Sequence, residues 1–91
     1  MRRHVKTPAE VLDYGWDWSR WLDGDTLASS TWTVDTGLTI QSHTYDTAST
    51  TIWLTGGSEG ATYQATNTVT TAAGRTAQRT FEIRIVTQRT A

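Results

Sequence analysis

Residues 61–86, ATYQATNTVTTAAGRTAQRTFEIRIV, constrain the fold more than any other stretch. Tyr63, Ala65, Asn67 and Val69 share one parity, and Gln64, Thr66, Thr68 and Thr70 share the other. Further on, Phe81, Ile83 and Ile85 alternate with Thr80, Glu82 and Arg84. Period-two alternation of this kind marks strands with one buried and one solvated face. The apolar residues are odd-numbered in both halves, and this parity limits the turn. Opposed residues of an antiparallel pair lie on the same face, so their numbers sum to an even value and the loop holds an odd number of residues. Ala72-Ala73-Gly74 fits a three-residue loop with Gly74 in the left-handed region. Tyr63 is then expected opposite Ile83, and Ala65 opposite Phe81. Asn67 falls on the buried face, where an amide is tolerated only when hydrogen-bonded, so it should bind the backbone of a neighbouring strand or loop.

A lone hairpin is marginal in water, so the remaining chain must supply a second layer. The chain has 91 residues, enough for one small domain with one core. About a fifth of it is threonine and there is a single proline, a composition that favours strands. With no cysteine, it has neither a disulfide nor thiolate chemistry. A net charge of −1 gives no global attraction to nucleic acid or to an anionic membrane. No apolar run approaches a membrane span, and no signal peptide is expected before the domain.

The first residues, MRRHVKT, read as a basic N-terminal arm over 1–8, followed by a single domain over 9–91. In VLDYGWDW, Leu12, Tyr14, Trp16 and Trp18 alternate with Asp13, Gly15 and Asp17, giving a strand whose aromatic side must be buried. Ser19-Arg20-Trp21-Leu22 breaks the alternation as a helical turn or loop, and Asp23-Gly24-Asp25 is a turn. A strand over 26–34 is expected with Ala28, Ser30, Trp32 and Val34 inward. Another starts at Leu38 after the Asp35-Thr36-Gly37 turn, with Leu38 and Ile40 inward. In TTIWLT, Ile52 and Leu54 point one way and Trp53 the other. Short strands at such intervals, with turn residues between them, predict an all-β fold, an immunoglobulin-like antiparallel β-sandwich. Glu59-x-Ala61-x-Tyr63-x-Ala65 has the spacing of a tyrosine corner. One core is expected to hold Trp16, Trp18, Trp32, Tyr63, Phe81 and Ile83.

No constellation supports catalysis. His4 and His43 stand alone, with no metal-ligand spacing. Asp23-Gly24-Asp25 lacks the further ligands of a calcium loop. Ser29 and Ser30 have no neighbouring base. Gly56, Gly57 and Gly60 lack the lysine and strand-to-helix setting of a phosphate loop. The chain reads as a binding protein, not an enzyme, with no catalytic, cofactor or metal residues. The candidate partner-binding residues are Arg2, Arg3 and Lys6 of the arm, Trp53 as an outward aromatic anchor, and Arg84 on the polar face of the hairpin.

DYGWDWSRWLDGDTLASSTWTV, Gly37-Leu38, TTIWLTGG and TYQATNTVTTAAGRTAQRTFEIRI together resemble a family of small tailed-bacteriophage virion proteins of the fibre–tail adaptor type. The resemblance runs from about Ala9 to Val86. Its most specific pieces are Trp18-Ser19-x-Trp21-Leu22 with Asp25-Thr26, Trp32-Thr33-Val34, and Tyr63-x-x-Thr66-Asn67 with Gly74-Arg75; the chain departs at Gly15 and Asp35. The resemblance implies a compact β-sandwich without cofactor, assembled as a building block of the virion in the host cytoplasm. The function expected is a multi-copy adaptor joining tail and fibre components. A capsid decoration protein is the alternative, and an adhesion or carbohydrate-binding module a second. Expected partners are other virion proteins (tail tube, portal adaptor or fibre, alternatively the major capsid protein) and further copies of the chain, with no nucleic acid or membrane. The cationic arm suggests an acidic partner surface, for which Asp13, Asp17, Asp23 and Asp25 of a neighbouring copy are candidates.

Overall fold

The computed structural model describes residues 2–87; Met1 and residues 88–91, the outer ends of the expected arm and domain, lie outside that range. Seven strands run in chain order: β1 Arg2–Lys6, β2 Leu12–Asp17, β3 Leu27–Val34, β4 Leu38–Tyr45, β5 Ser49–Gly56, β6 Thr62–Thr71 and β7 Thr76–Ile85, with a single helical turn, α1 Ser19–Leu22, between β2 and β3. The architecture is all-β. One sheet has the order β1-β7-β6-β3 and the other β2-β5-β4.

The β6–β7 hairpin has the register that parity demands, with Tyr63 opposite Ile83 and Ala65 opposite Phe81. Its loop is 72–74: Thr71 N donates to Arg75 O at 2.8 Å, and Gly74 takes φ 93°, which a side chain would resist. Tyr63 Oη accepts a hydrogen bond from Ser58 N at 2.9 Å and ties the start of β6 to the preceding loop.

The inner faces of the two sheets meet in a core of Tyr14, Trp32, Leu38, Ile52, Leu54, Tyr63, Ala65, Phe81, Ile83 and Ile85. Phe81 lies at its centre, edge-on to Trp32 with ring centroids 5.8 Å apart. Trp18 is not in this cluster. It forms a second one with Leu22, Leu27 and Val69, and the half-buried Trp16 packs against both. The division follows from α1, which ends the alternation of β2 and folds Leu22 beneath the hairpin end of the sheet. Asn67 sits where the clusters adjoin and is fully buried. Its Oδ1 accepts from Trp18 Nε1 at 3.1 Å and from Thr50 Oγ1 at 2.7 Å, while its Nδ2 donates to Ser30 Oγ and to the Thr31 carbonyl, both at 2.9 Å. Both acceptor positions and both donors of the amide are therefore used.

Besides the single core, which Trp18 leaves for a second cluster, two further expectations are corrected. The first residues do not form a free arm: Arg2–Lys6 is β1, paired parallel to β7 with Lys6 opposite Ile85, so the sheet is not wholly antiparallel. Edge strands commonly carry basic residues, and the aliphatic stem of a lysine packs like an apolar side chain. Lys6 is fully buried, and its Nζ donates to the carbonyls of Gly56 at 2.6 Å and Thr7 at 2.8 Å. Burial pushes its pKa down, opposed by the nearby Glu10 carboxylate. The second correction concerns β3, where a bulge between Leu27 and Ser29 turns Leu27 inward and leaves Ala28 exposed.

Candidate functional site

The residues expected to bind partners fall on opposite sides of the molecule. Trp53 stands on the outer face of the three-stranded sheet, between Asp13 of β2 and Ser42 of β4 as its cross-strand neighbours. It is 39% exposed, a large ring left in solvent by a chain that buries most of its aromatics. Around it, the outer face consists of Thr51 and Thr55 on its own strand and Asp13, Gly15 and Asp17 on β2.

Arg3 and Arg84 lie on the four-stranded sheet, on neighbouring strands β1 and β7. Arg3 Nε donates to Glu82 at 2.9 Å in an exposed pair, of a kind that contributes little stability. Arg84 is exposed, and its guanidinium makes no hydrogen bond or ion pair among the described residues. Lys6, in contrast, is withdrawn from the surface, since its ammonium is held by backbone carbonyls. Arg2 belongs to β1, and its side chain lies outside the described part of the structure.

The four aspartates that looked like an acidic cluster are dispersed by the fold. Asp25 is paired with Arg75 at 3.2 Å, and a hydrogen bond from the Thr71 hydroxyl is the main cause of its lowered pKa. Asp17 accepts from Ser19 N at 3.0 Å, and its pKa is held down chiefly by the Ser19 hydroxyl. Asp23 takes a left-handed conformation at the end of α1. Asp13 remains beside Trp53. Two arginines that sequence reasoning gave no partner, Arg75 having entered only as part of the resemblance, are structural: Arg75 lies over Trp21 at 4.4 Å from the ring centroid, and Arg79 over Trp18 at 4.2 Å. Nothing in the local pattern marks them, because the rings they cover come from a distant part of the chain.

A groove of about 870 Å³ runs along one side of the molecule, walled by residues 3–5 of β1 and 12–15 of β2, with Arg84 at its rim. His4 and Tyr14 meet in it, their ring centroids 4.6 Å apart. A smaller depression on the outer face of the four-stranded sheet shares Arg3 and Arg84 with it. Sequence reasoning missed the groove because it expected the β1 segment to be free of the fold. Among the described residues, no group of His, Cys, Asp or Glu is placed to hold a metal ion. No helix among them is long and apolar enough to cross a membrane.

These features define a small all-β structural module whose accessible chemistry is surface chemistry: an outward tryptophan on one sheet, and arginines and a groove on the other side. A family described as podophage GP4 fiber-tail adaptor protein gp77 matches residues 6–84, and the chain belongs to that family. The match begins at the buried lysine that ends β1 and stops at the exposed arginine of β7, so it takes in β2 to β6 whole and all of β7 but its last residue. No curated protein matches the chain. The chain is thus a bacteriophage virion structural protein, an adaptor between tail and fibre that binds other virion proteins.

Proposed function

We propose that this adaptor is a non-catalytic module of immunoglobulin type, present in several copies per particle, and that the Trp53 face of its three-stranded sheet is the main contact in the tail. Support for the fold type comes from strand order. Lettered A to G along the chain, the sheets read B-E-D and C-F-G, the immunoglobulin pattern, with A moved to the outside of G. The Tyr63–Ser58 hydrogen bond supplies the tyrosine corner.

The observation that carries the docking surface is Trp53 itself. A large ring projecting from the middle strand of a sheet, ringed by threonines and by Asp13, has the composition of an interface anchor with a polar rim. Trp53 belongs to neither buried cluster, so its role in folding is small. Replacing it with alanine should therefore leave the isolated protein's melting temperature near the parental value while lowering the number of copies incorporated per particle. Quantifying the adaptor in purified particles by mass spectrometry tests this. Parental incorporation of a folded Trp53→Ala variant would show that this face does not hold the assembly.

A further inference from the structure

We infer that the groove between β1 and β2 is a docking site for an extended acidic segment of another virion protein, bound by strand addition along the free edge of β2. The inference rests on the adaptor function above and specifies a second contact, which adjoins the Trp53 face at Asp13 and Gly15. Both β1 and β2 end their sheets, and both end them on the same side of the molecule, where the two edges wall one groove. The opposite side, where β3 and β4 end the sheets, is tied together: Tyr45 Oη donates to the Ala28 carbonyl at 2.8 Å, and Leu27 N to the Thr47 carbonyl at 3.0 Å. On the groove side, the backbone-to-backbone hydrogen bonds among the described residues include none between β1 and β2.

The residues lining the groove show what it presents. Successive side chains of a strand point to opposite faces, so one face contributes only every second residue. Here the lining includes consecutive residues, 12–15 on β2 and 3–5 on β1. A wall of that kind is a strand edge, which presents backbone N–H and C=O groups, and such an edge recruits an additional strand. Four residues of β2 offer roughly 13 Å of edge at ~3.3 Å per residue. The floor is already organised by the rings of His4 and Tyr14, which meet at a tilt of 45°, and Tyr14 Oη donates to the Val5 carbonyl at 3.5 Å.

Charge and apolar surface select the occupant. Arg84 brings to the rim a guanidinium that meets no acceptor among the described residues, Arg3 beside it is only singly engaged by Glu82, and these two cations outnumber the one carboxylate of the lining, Asp13. A guanidinium pairs best with a carboxylate. Val5, 47% exposed, and the half-buried Leu12 offer apolar surface to the same occupant. An extended segment that alternates acidic with β-branched residues meets all three demands: backbone pairing, a carboxylate toward the arginines, and apolar contact.

The test is an amide-resolved NMR titration of the full chain with a short capped peptide alternating valine and aspartate. Saturable shifts confined to residues 3–5, 12–15 and 84 are expected, with slowed amide exchange along 12–15. The Arg84→Glu variant, an exposed substitution that should leave the melting temperature unchanged, is expected to weaken the titration about tenfold or more. A matched peptide with lysine for aspartate should not bind, nor should one interrupted by proline. Absence of saturable shifts, equal binding of the lysine peptide, or shifts centred on Trp53 would each overturn the proposal. So would concentration-dependent shifts of the groove residues without peptide, because the occupant would then be a second copy. A failed titration alongside loss of incorporation in Trp53→Ala would leave the adaptor contact standing and remove only the groove.

Discussion

Replacing Asn67 with alanine should cost a large share of this domain's stability, and the size can be worked from its four hydrogen bonds. The side chain is fully buried on β6 and bonds Trp18, after β2, Thr50 on β5, and Ser30 and Thr31 on β3, so it joins the two sheets. Without it, the Thr50 hydroxyl loses its acceptor, the Trp18 indole keeps only a 3.3 Å bond to Thr50 Oγ1, and two acceptors lose a donor. A buried group left unsatisfied costs about 1–3 kcal/mol. One such donor, a second left on a single long bond, and a small cavity together give ~3–6 kcal/mol. At roughly 0.05–0.15 kcal/mol per residue the whole domain has ~5–14 kcal/mol, so the variant should be marginal. The melting temperature, followed by circular dichroism, should fall by ~15–30 °C, at ~5 °C per kcal/mol, toward the lower end of the range for a domain of this size. Asn67→Leu separates the causes, because it refills the volume and leaves every polar partner unsatisfied. If hydrogen bonding dominates, leucine is at least as damaging as alanine. A double-mutant cycle with Thr50→Val should show coupling of ~1 kcal/mol or more. A loss below ~1 kcal/mol in Asn67→Ala, or recovery in Asn67→Leu, would refute the hub.

Two further perturbations follow from the same packing. Gly15→Ala places a Cβ against the Thr50 carbonyl oxygen, a backbone atom of the paired strand; it should destabilise by ~1–3 kcal/mol in chemical denaturation, and a neutral result would show that β2 shifts freely against β5. Asp17, Asp25 and Asp46 all have pKa values below the ordinary carboxylate range, Asp46 chiefly through the Ala48 amide. A carboxylate with a depressed folded-state pKa contributes stability that is complete above its unfolded value, about 3.9, and is lost as pH falls through the folded value. The melting temperature should therefore be level above about pH 5 and decline below about pH 4, less steeply in Asp46→Ala; a flat profile down to about pH 2.5 would contradict these hydrogen bonds.

Local alternation was enough to specify much of this molecule. The β6–β7 register followed from parity, because side chains on one face of a paired strand must share it, and a single loop residue more would have turned Phe81 out of the core. Asn67 was legible for the same reason: its parity placed an amide in the interior, and an amide there must be bonded. Trp53 declared itself by standing out of phase with Ile52 and Leu54. The family, too, was legible, in strings of residues spread over nearly the whole chain.

Tertiary structure alone decided the rest. Sequence assigns a lysine and two arginines near a terminus to solvent, because burying an isolated charge is costly. Only the fold shows that β7 has a free edge beside these residues, and that the carbonyls of Thr7 and Gly56 converge on the Lys6 ammonium. The aspartates lay close together in the chain, yet their partners Ser19, Arg75 and Thr71 scatter them, since proximity in sequence says nothing about which donors the fold brings near. The bulge that turns Leu27 inward answers to packing against Trp18, Leu22 and Val69, contacts made across the chain. The groove is the clearest case. Each of its edges is written locally as a short strand, but an edge is free or paired only by the order of strands in a sheet, and two edges form one groove only when the sheets are stacked.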